Sequence, residues 1–167
     1  MTMMTMMTMT MTMTIMRTIK HYYQPTGNSC GPACLFMVSQ HINPNSKMTD
    51  NLANMMIDEI SEICGTDWVV GTPPERMDKG MKLLKLKFVE YLGSPRPYDL
   101  LHNVIKNGNY PILRTITKGV PHWIIVNNYN DDGYEVLDPW LGEIFYSKSE
   151  LDDIWSPRLH QFYEIMK

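Results

Sequence analysis

Tyr22-Tyr23-Gln24-Pro25-Thr26-Gly27-Asn28-Ser29-Cys30-Gly31-Pro32-Ala33-Cys34-Leu35-Phe36-Met37-Val38 is the stretch that decides how this chain folds. Pro25, Gly27 and Asn28 make a polar turn, and Ser29 is placed to cap a helix beginning at Cys30. Behind it Ala33, Cys34, Met37, Val38 and His41 recur at helical spacing. Pro32 falls in the first turn, where a missing N–H costs little. A thiol at a helix N-terminus sits at the positive end of the macrodipole, beside N–H groups with no intrahelical partner. Both features favour the thiolate, which is the nucleophilic form. The same N–H groups can donate to an oxyanion formed when the sulfur attacks a carbonyl. Cys34, one turn on and on the apolar side, reads as a small buried hydrophobe instead.

The rest of the chain bounds what that cysteine can serve. A length of 167 residues suits one domain, and 44% apolar with 20% charged residues describes an ordinary globular protein. A net charge of −3 with scattered Lys and Arg excludes a nucleic-acid surface. No run approaches the roughly 18 apolar residues of a membrane span, and no basic-then-apolar signal opens the chain. Three cysteines, an odd number, argue against a disulfide scaffold and for a reducing compartment. The expectation is therefore a cytoplasmic protein, with delivery elsewhere left open. Residues Met1 to Met16 hold nine Met, six Thr and one Ile, a low-complexity extension without the variety a core requires. The domain is expected to span 17–167.

Along that domain the period changes once. Thr49 is expected to cap a second helix with Leu52, Met56, Ile60 and Ile63 on one face, ended by Gly65. A loop carrying Trp68 follows. Thr72-Pro73-Pro74-Glu75 has the form of a capping box, with Met77, Met81 and Leu84 as the stripe behind it. Leu86 to Leu92 alternates as a strand, and Pro97 to Lys106 reads as a helix stopped by Asn107-Gly108. From Tyr110 onward strands dominate: Pro111–Ile116, then Pro121–Tyr129, a turn at Asn130-Asp131-Asp132-Gly133, Tyr134–Asp138 and Glu143–Tyr146. A short helix over Ser147–Trp155 and a last strand over Leu159–Ile165 close the chain. Helices first and an antiparallel sheet second define an α+β fold rather than a parallel α/β one.

Cys30 needs a base. His41 and His102 fall inside helices, and His21 lies too close to the Cys30 loop to fold back onto it. His122 opens an apolar strand, where an imidazole can project toward a facing helix end. Asp138 ends the next strand of the same hairpin, 16 residues later. Its carboxylate is expected to hold Nδ1–H of the imidazole and leave Nε2 facing the thiol. Symmetric pairing of the two would centre on Asn130, whereas the turn centres a little later, so their register is left open, a bulge or looser loop being one way to bring them together. Gln24, six residues before Cys30, can complete an oxyanion hole with the Cys30 N–H. A zinc site built from Cys30, Cys34 and Cys64 is disfavoured, since one C-x3-C on a helix lacks a second paired motif.

Gln-x5-Cys-Gly-Pro-Ala-Cys-Leu-x-Met-Val, then His-Trp-Ile-Ile-Val, then Asp-Pro-x-x-Gly resembles the double-glycine leader peptidase domain. That is the bacteriocin-processing cysteine peptidase family, with a papain-like fold. The resemblance spans Ile19 to Lys167. It implies Cys30 as nucleophile, His122 as general base and acid, Asp138 as the orienting acid and Gln24 as oxyanion donor. It also implies a peptide or protein substrate, no cofactor or metal, and cleavage at small residues such as Gly-Gly. Family members are usually joined to transporter spans and an ATPase. Here there is neither a long apolar run nor a Gly-x4-Gly-Lys-Ser/Thr loop, so the stand-alone branch is the better match. An amidase or transpeptidase using the same residues, or an inactive peptide-binding module, are the alternatives.

Overall fold

The structure is a computed structural model that describes residues 17–167. The Met/Thr extension assigned to residues 1–16 lies outside the described residues. Helix α1 (Cys30–Ile42) is followed by α2 (Asp50–Cys64), α3 (Pro74–Leu83), strand β1 (Phe88–Tyr91) and α4 (Pro97–Lys106). Then come β2 (Tyr110–Thr117), β3 (Val120–Asn130), β4 (Gly133–Asp138), β5 (Gly142–Tyr146), α5 (Lys148–Trp155) and β6 (Phe162–Ile165). The six strands form one antiparallel sheet in the order β1-β6-β2-β3-β4-β5.

Local chemistry accounts for most of these bounds. The Thr49 hydroxyl accepts the Leu52 N–H at 3.2 Å, and Gly65 closes α2 in the left-handed conformation at φ 66°. Ser147 and Glu150 make a reciprocal capping box at the start of α5. Two expected caps are absent, each because another partner takes the side chain. Ser29 stands at the N-cap of α1, but its hydroxyl donates to the Thr26 carbonyl and accepts the Thr26 N–H. Thr72 lies one residue before the N-cap of α3, which is Pro73; its hydroxyl meets Thr66 at 2.6 Å and its carbonyl accepts the Trp123 indole N–H at 2.8 Å.

The sheet is covered on both faces, which the simple order of helices then strands did not predict. On one face α1, α2 and α3 enclose a core with Ile112, Trp123, Ile125, Leu137 and Tyr163. On the other, Leu101 and Val104 of α4 and Leu151 and Trp155 of α5 meet Leu113, Ile124, Val126, Val136 and Phe162. Consecutive residues of β3 therefore point into different cores, and this explains its unbroken apolar run. Helix α1 is buried at every position from Cys30 to Val38, so it is the central helix rather than an amphipathic cover. Gly31 makes this possible, because a Cβ there would meet Met77 Sδ at 2.7 Å and Thr72 and Trp123 just beyond 3 Å.

β6 is shorter than the expected Leu159–Ile165. Ser156–Arg158 is a 3-10 turn, and Leu159 and His160 both take positive φ (53° and 51°) before the strand begins. β6 then enters between β1 and β2, a central position with no signal in local sequence. The Asn130–Gly133 turn forms as expected, with Asn130 Oδ1 accepting the N–H groups of Asp132 and Gly133. Gly133 has φ 154°, and a Cβ there would land on the Tyr146 carbonyl. Gly133→Ala should therefore cost on the order of 2–4 kcal/mol and lower the melting midpoint measurably in a thermal unfolding scan.

Candidate active site

The N-terminus of α1 carries Cys30, 7% exposed, at the floor of a cavity of about 360 Å³. Gln24, Asn28, His122 and Trp140 are among its lining residues. With the Ser29 hydroxyl turned away, the first-turn N–H groups of α1 have no side-chain cap. Across the cavity His122 Nε2 lies 2.7 Å from Asp138 Oδ1, with both residues buried. A carboxylate oxygen only accepts, so Nε2 carries the proton donated to Asp138.

The ring is therefore turned the opposite way from the sequence expectation, which gave Nδ1 to the acid and Nε2 to the thiol. The register explains the reversal. Between Tyr129↔Tyr134 and Asn128↔Glu135 the hairpin runs regularly, then it shifts by one residue between Val126 and Asn128. Beyond the shift Ile125 opposes Leu137, so the next pair would set Asp138 opposite Ile124, two residues from His122. His122 and Asp138 are thus diagonal neighbours on one face, about 7–8 Å apart at their backbones. Nε2 reaches further from the backbone than Nδ1 and spans that gap. Without the bulge the same residues would sit on opposite faces, since a one-residue slip inverts every side chain.

The bulge itself is held by the chain entering the domain. Asn127 and Asn128 both donate to the Arg17 carbonyl, and the Arg17 guanidinium returns to the carbonyls of Asn127 and Asn109. Asp138 is anchored as firmly. Its Oδ1 also accepts the N–H groups of Trp140 and Leu141, and its backbone carbonyl accepts the ring N–H of His21 at 2.6 Å. His21, set aside as a base, does fold back to the site, as a support behind Asp138. The Gln24 N–H donates to the Pro139 carbonyl, tying the Cys30 loop to the same turn. Neither contact had a sequence signal beyond the residue types.

Burial works against a charged His122, but hydrogen bonds to Asp138 and Cys30 and the charges of both raise its pKa to about 9. Cys34 is pushed well upward by burial, with Cys30 and Asp138 adding to it, and burial takes Cys64 to about 11. Both therefore stay protonated and unreactive at neutral pH. His41 bonds the Tyr110 hydroxyl, His102 that of Tyr134, and His160 the carboxylate of Asp152. Gln24 lines the cavity, with one Nε2 hydrogen bond to the Thr26 carbonyl at 2.7 Å. Among the described residues no group of three His, Cys, Asp or Glu is placed to hold a metal, and no helix is long and apolar enough to cross a membrane.

A central helix with a cysteine at its tip, facing a sheet that carries histidine and aspartate, is the architecture of the papain-like cysteine peptidases. Solved structures share the fold. The peptidase domain of Streptococcus ComA, a bifunctional ABC transporter of a quorum-sensing pathway, aligns with TM-score 0.69 at 18% identity, covering 89% of this chain and 98% of that one. A double-glycine-motif protease from an AMS/PCAT transporter, in complex with its leader peptide, gives 0.68 at 15% identity, with 92% and 96% covered. A C39-like peptidase from Bacillus anthracis gives 0.66 at 12%, with 89% and 94% covered. No curated protein matches the chain. The profile of the Peptidase C39 family matches residues 18–160, and the chain belongs to that family of cysteine peptidases.

Proposed function

We propose that the chain hydrolyses peptide bonds through a thioester acyl-enzyme, with Cys30 as nucleophile. The observation that carries this reading is His122, held by Asp138 through Nε2 at 2.7 Å, with Cys30 in the lining of the same cavity. The Cys30 sulfur attacks the scissile carbonyl, and the carbonyl oxygen gains charge. The Cys30 N–H and the second N–H of Gln24 Nε2 donate to that oxygen. His122 Nδ1 gives its proton to the leaving amine, and the C–N bond breaks. It then takes a proton from water, whose oxygen attacks the thioester carbon and releases the acid and Cys30. Asp138 holds the ring and stabilises its charged form without taking the proton. Membership of the family supports cleavage after small residues such as Gly-Gly, and a peptide as the substrate.

Product mass in ¹⁸O-labelled water tests the acceptor. Hydrolysis gives two fragments whose masses sum to the substrate plus one water, with the label in the new carboxylate. Joined fragments carrying no label would make the enzyme a transpeptidase. Intact peptide after incubation with the wild type would remove the catalytic reading.

A further inference from the structure

The segment between α2 and α3 is not a slack loop. Asp67 and Gly71 exchange backbone hydrogen bonds at 3.2 and 3.0 Å, so residues 67–71 form a minimal hairpin. Asp67 Oδ1 accepts the N–H groups of Val69 and Val70 at 2.9 and 2.8 Å, and its Oδ2 meets Arg76 Nη1 at 2.7 Å. The same Arg76 nitrogen donates to the Gly65 carbonyl. Below, the Thr66 and Thr72 hydroxyls bond each other, and Thr72 is locked to the Trp123 indole. What this braced hairpin presents is apolar and wet: Trp68 is 75% exposed, Val69 92% and Val70 51%. Three consecutive bulky apolar side chains held in water by a dedicated polar brace contribute nothing to the core, and such patches mark contact surfaces.

Their position says what they contact. Trp68, Val69 and Val70 line the cavity that holds Cys30 and His122, and the Trp68 ring lies within van der Waals reach of a Cβ at Gly27. The cavity continues over Val120, Pro121 and Trp140, whose ring meets His122 edge-on at 6.0 Å between centroids. No Asp, Glu, Lys or Arg is among the lining residues described. About 360 Å³ is small for a ligand pocket, and it fits a short extended piece of chain with one bulky side chain. The occupant must be the molecule whose carbonyl reaches Cys30, because wall and sulfur share one cavity.

We infer that the Asp67–Gly71 hairpin is the specificity element of the site, its Trp68-Val69-Val70 edge selecting peptides with a bulky apolar side chain within a few residues of the scissile bond. This rests on the peptidase reading for its substrate but not for its surface. Arg76 is a positioning residue for that edge: it touches no substrate and holds the hairpin through Asp67 and Gly65.

The test is a positional-scanning peptide library, read two ways. Wild type and Trp68→Ala are profiled for cleavage; Cys30→Ala, with and without Trp68→Ala, is profiled for binding of the same peptides. Expected is an apolar preference near the bond that Trp68→Ala reduces roughly 10- to 100-fold in kcat/KM, mostly through KM. Arg76→Ala should blunt the same preference, with Arg76→Lys partly restoring it. Val89→Ser, a surface apolar change on β1, should leave the profile alone. Cleavage with a profile unchanged in Trp68→Ala overturns the hairpin assignment and leaves the peptidase intact. Apolar binding that depends on Trp68 without any cleavage keeps the hairpin and removes the peptidase. No cleavage and no Trp68-dependent binding removes both.

Discussion

Cys30→Ala is expected to abolish peptide hydrolysis, with kcat falling by a factor on the order of 10⁶, while Cys34→Ala keeps most of the activity. The two thiols are one helical turn apart, so the contrast tests position rather than chemistry. Cys30 stands at the uncapped end of α1 beside His122; Cys34 is fully buried, with its thiol held protonated. The folded protein should survive both changes, because each removes a single sulfur. Cys34→Ala opens a small void in the central helix and should cost about 1 kcal/mol. Removing Cys30 also takes away one of the two partners that keep His122 charged, so its titration, followed by NMR, should move to lower pH in Cys30→Ala. Equal losses in the two variants, or activity surviving in Cys30→Ala, would displace Cys30 as nucleophile.

Asp138→Asn should lower kcat/KM by a factor on the order of 10²–10⁴ and move the alkaline limb of its pH profile toward neutrality. In the wild type burial opposes the imidazolium, but Asp138 and Cys30 carry His122 to about 9, so the proposed general acid remains protonated through neutral pH. Activity should therefore fall as pH rises through about 9. Losing the Asp138 charge lowers that value, and the fall begins earlier. The sign for stability is the same. A histidine raised from 6.5 contributes stability that is complete below 6.5 and lost as pH climbs through about 9. Unfolding midpoints of the wild type should decline across that window, and those of Asp138→Asn should decline less. The variant also carries a separate cost. Oδ1 must still accept from His122, Trp140 and Leu141, which leaves the new NH₂ at the buried, unpartnered place of Oδ2. An unpaired buried donor costs about 1–3 kcal/mol at all pH values. A profile with an unmoved alkaline limb would separate Asp138 from the titration of His122.

The bracing of Asp138 explains how one carboxylate can hold the ring without a second one nearby. Two backbone N–H groups of its own turn point at Oδ1, and His21 grips its carbonyl from behind. The Cys30 loop is tied to the following residue through the Gln24 N–H and the Pro139 carbonyl. The loop before Cys30, Gln24 and Asp138 are therefore tied to one turn, the pre-organisation that the proposed electrostatic catalysis requires.

Much of this was legible in residue order because it rests on short-range chemistry. The turn before Cys30, the helix behind it, the cap at Thr49, the stop at Gly65 and the Asn130–Gly133 turn are decided by neighbours within four residues. The apolar runs marked the strands, and their ends carried His122 and Asp138. The missed caps at Ser29 and Thr72 show the limit of such signals, since each hydroxyl found a better partner outside the helix. Which imidazole nitrogen meets the acid, and whether the two residues share a face at all, followed from a bulge beside Asn127 fastened to Arg17, 110 positions away. The service of His21 to Asp138 crosses 117 positions, and the Trp68 hairpin that shares a cavity with Cys30 adjoins Thr72, whose carbonyl is bonded to Trp123. Sequence by itself determined the elements and the chemical groups, because dihedral preferences, caps and turns act locally. Tertiary structure alone decided the register, the ring orientation and the walls of the cleft, because these arise from contacts between residues whose spacing along the chain carries no information about their distance in space.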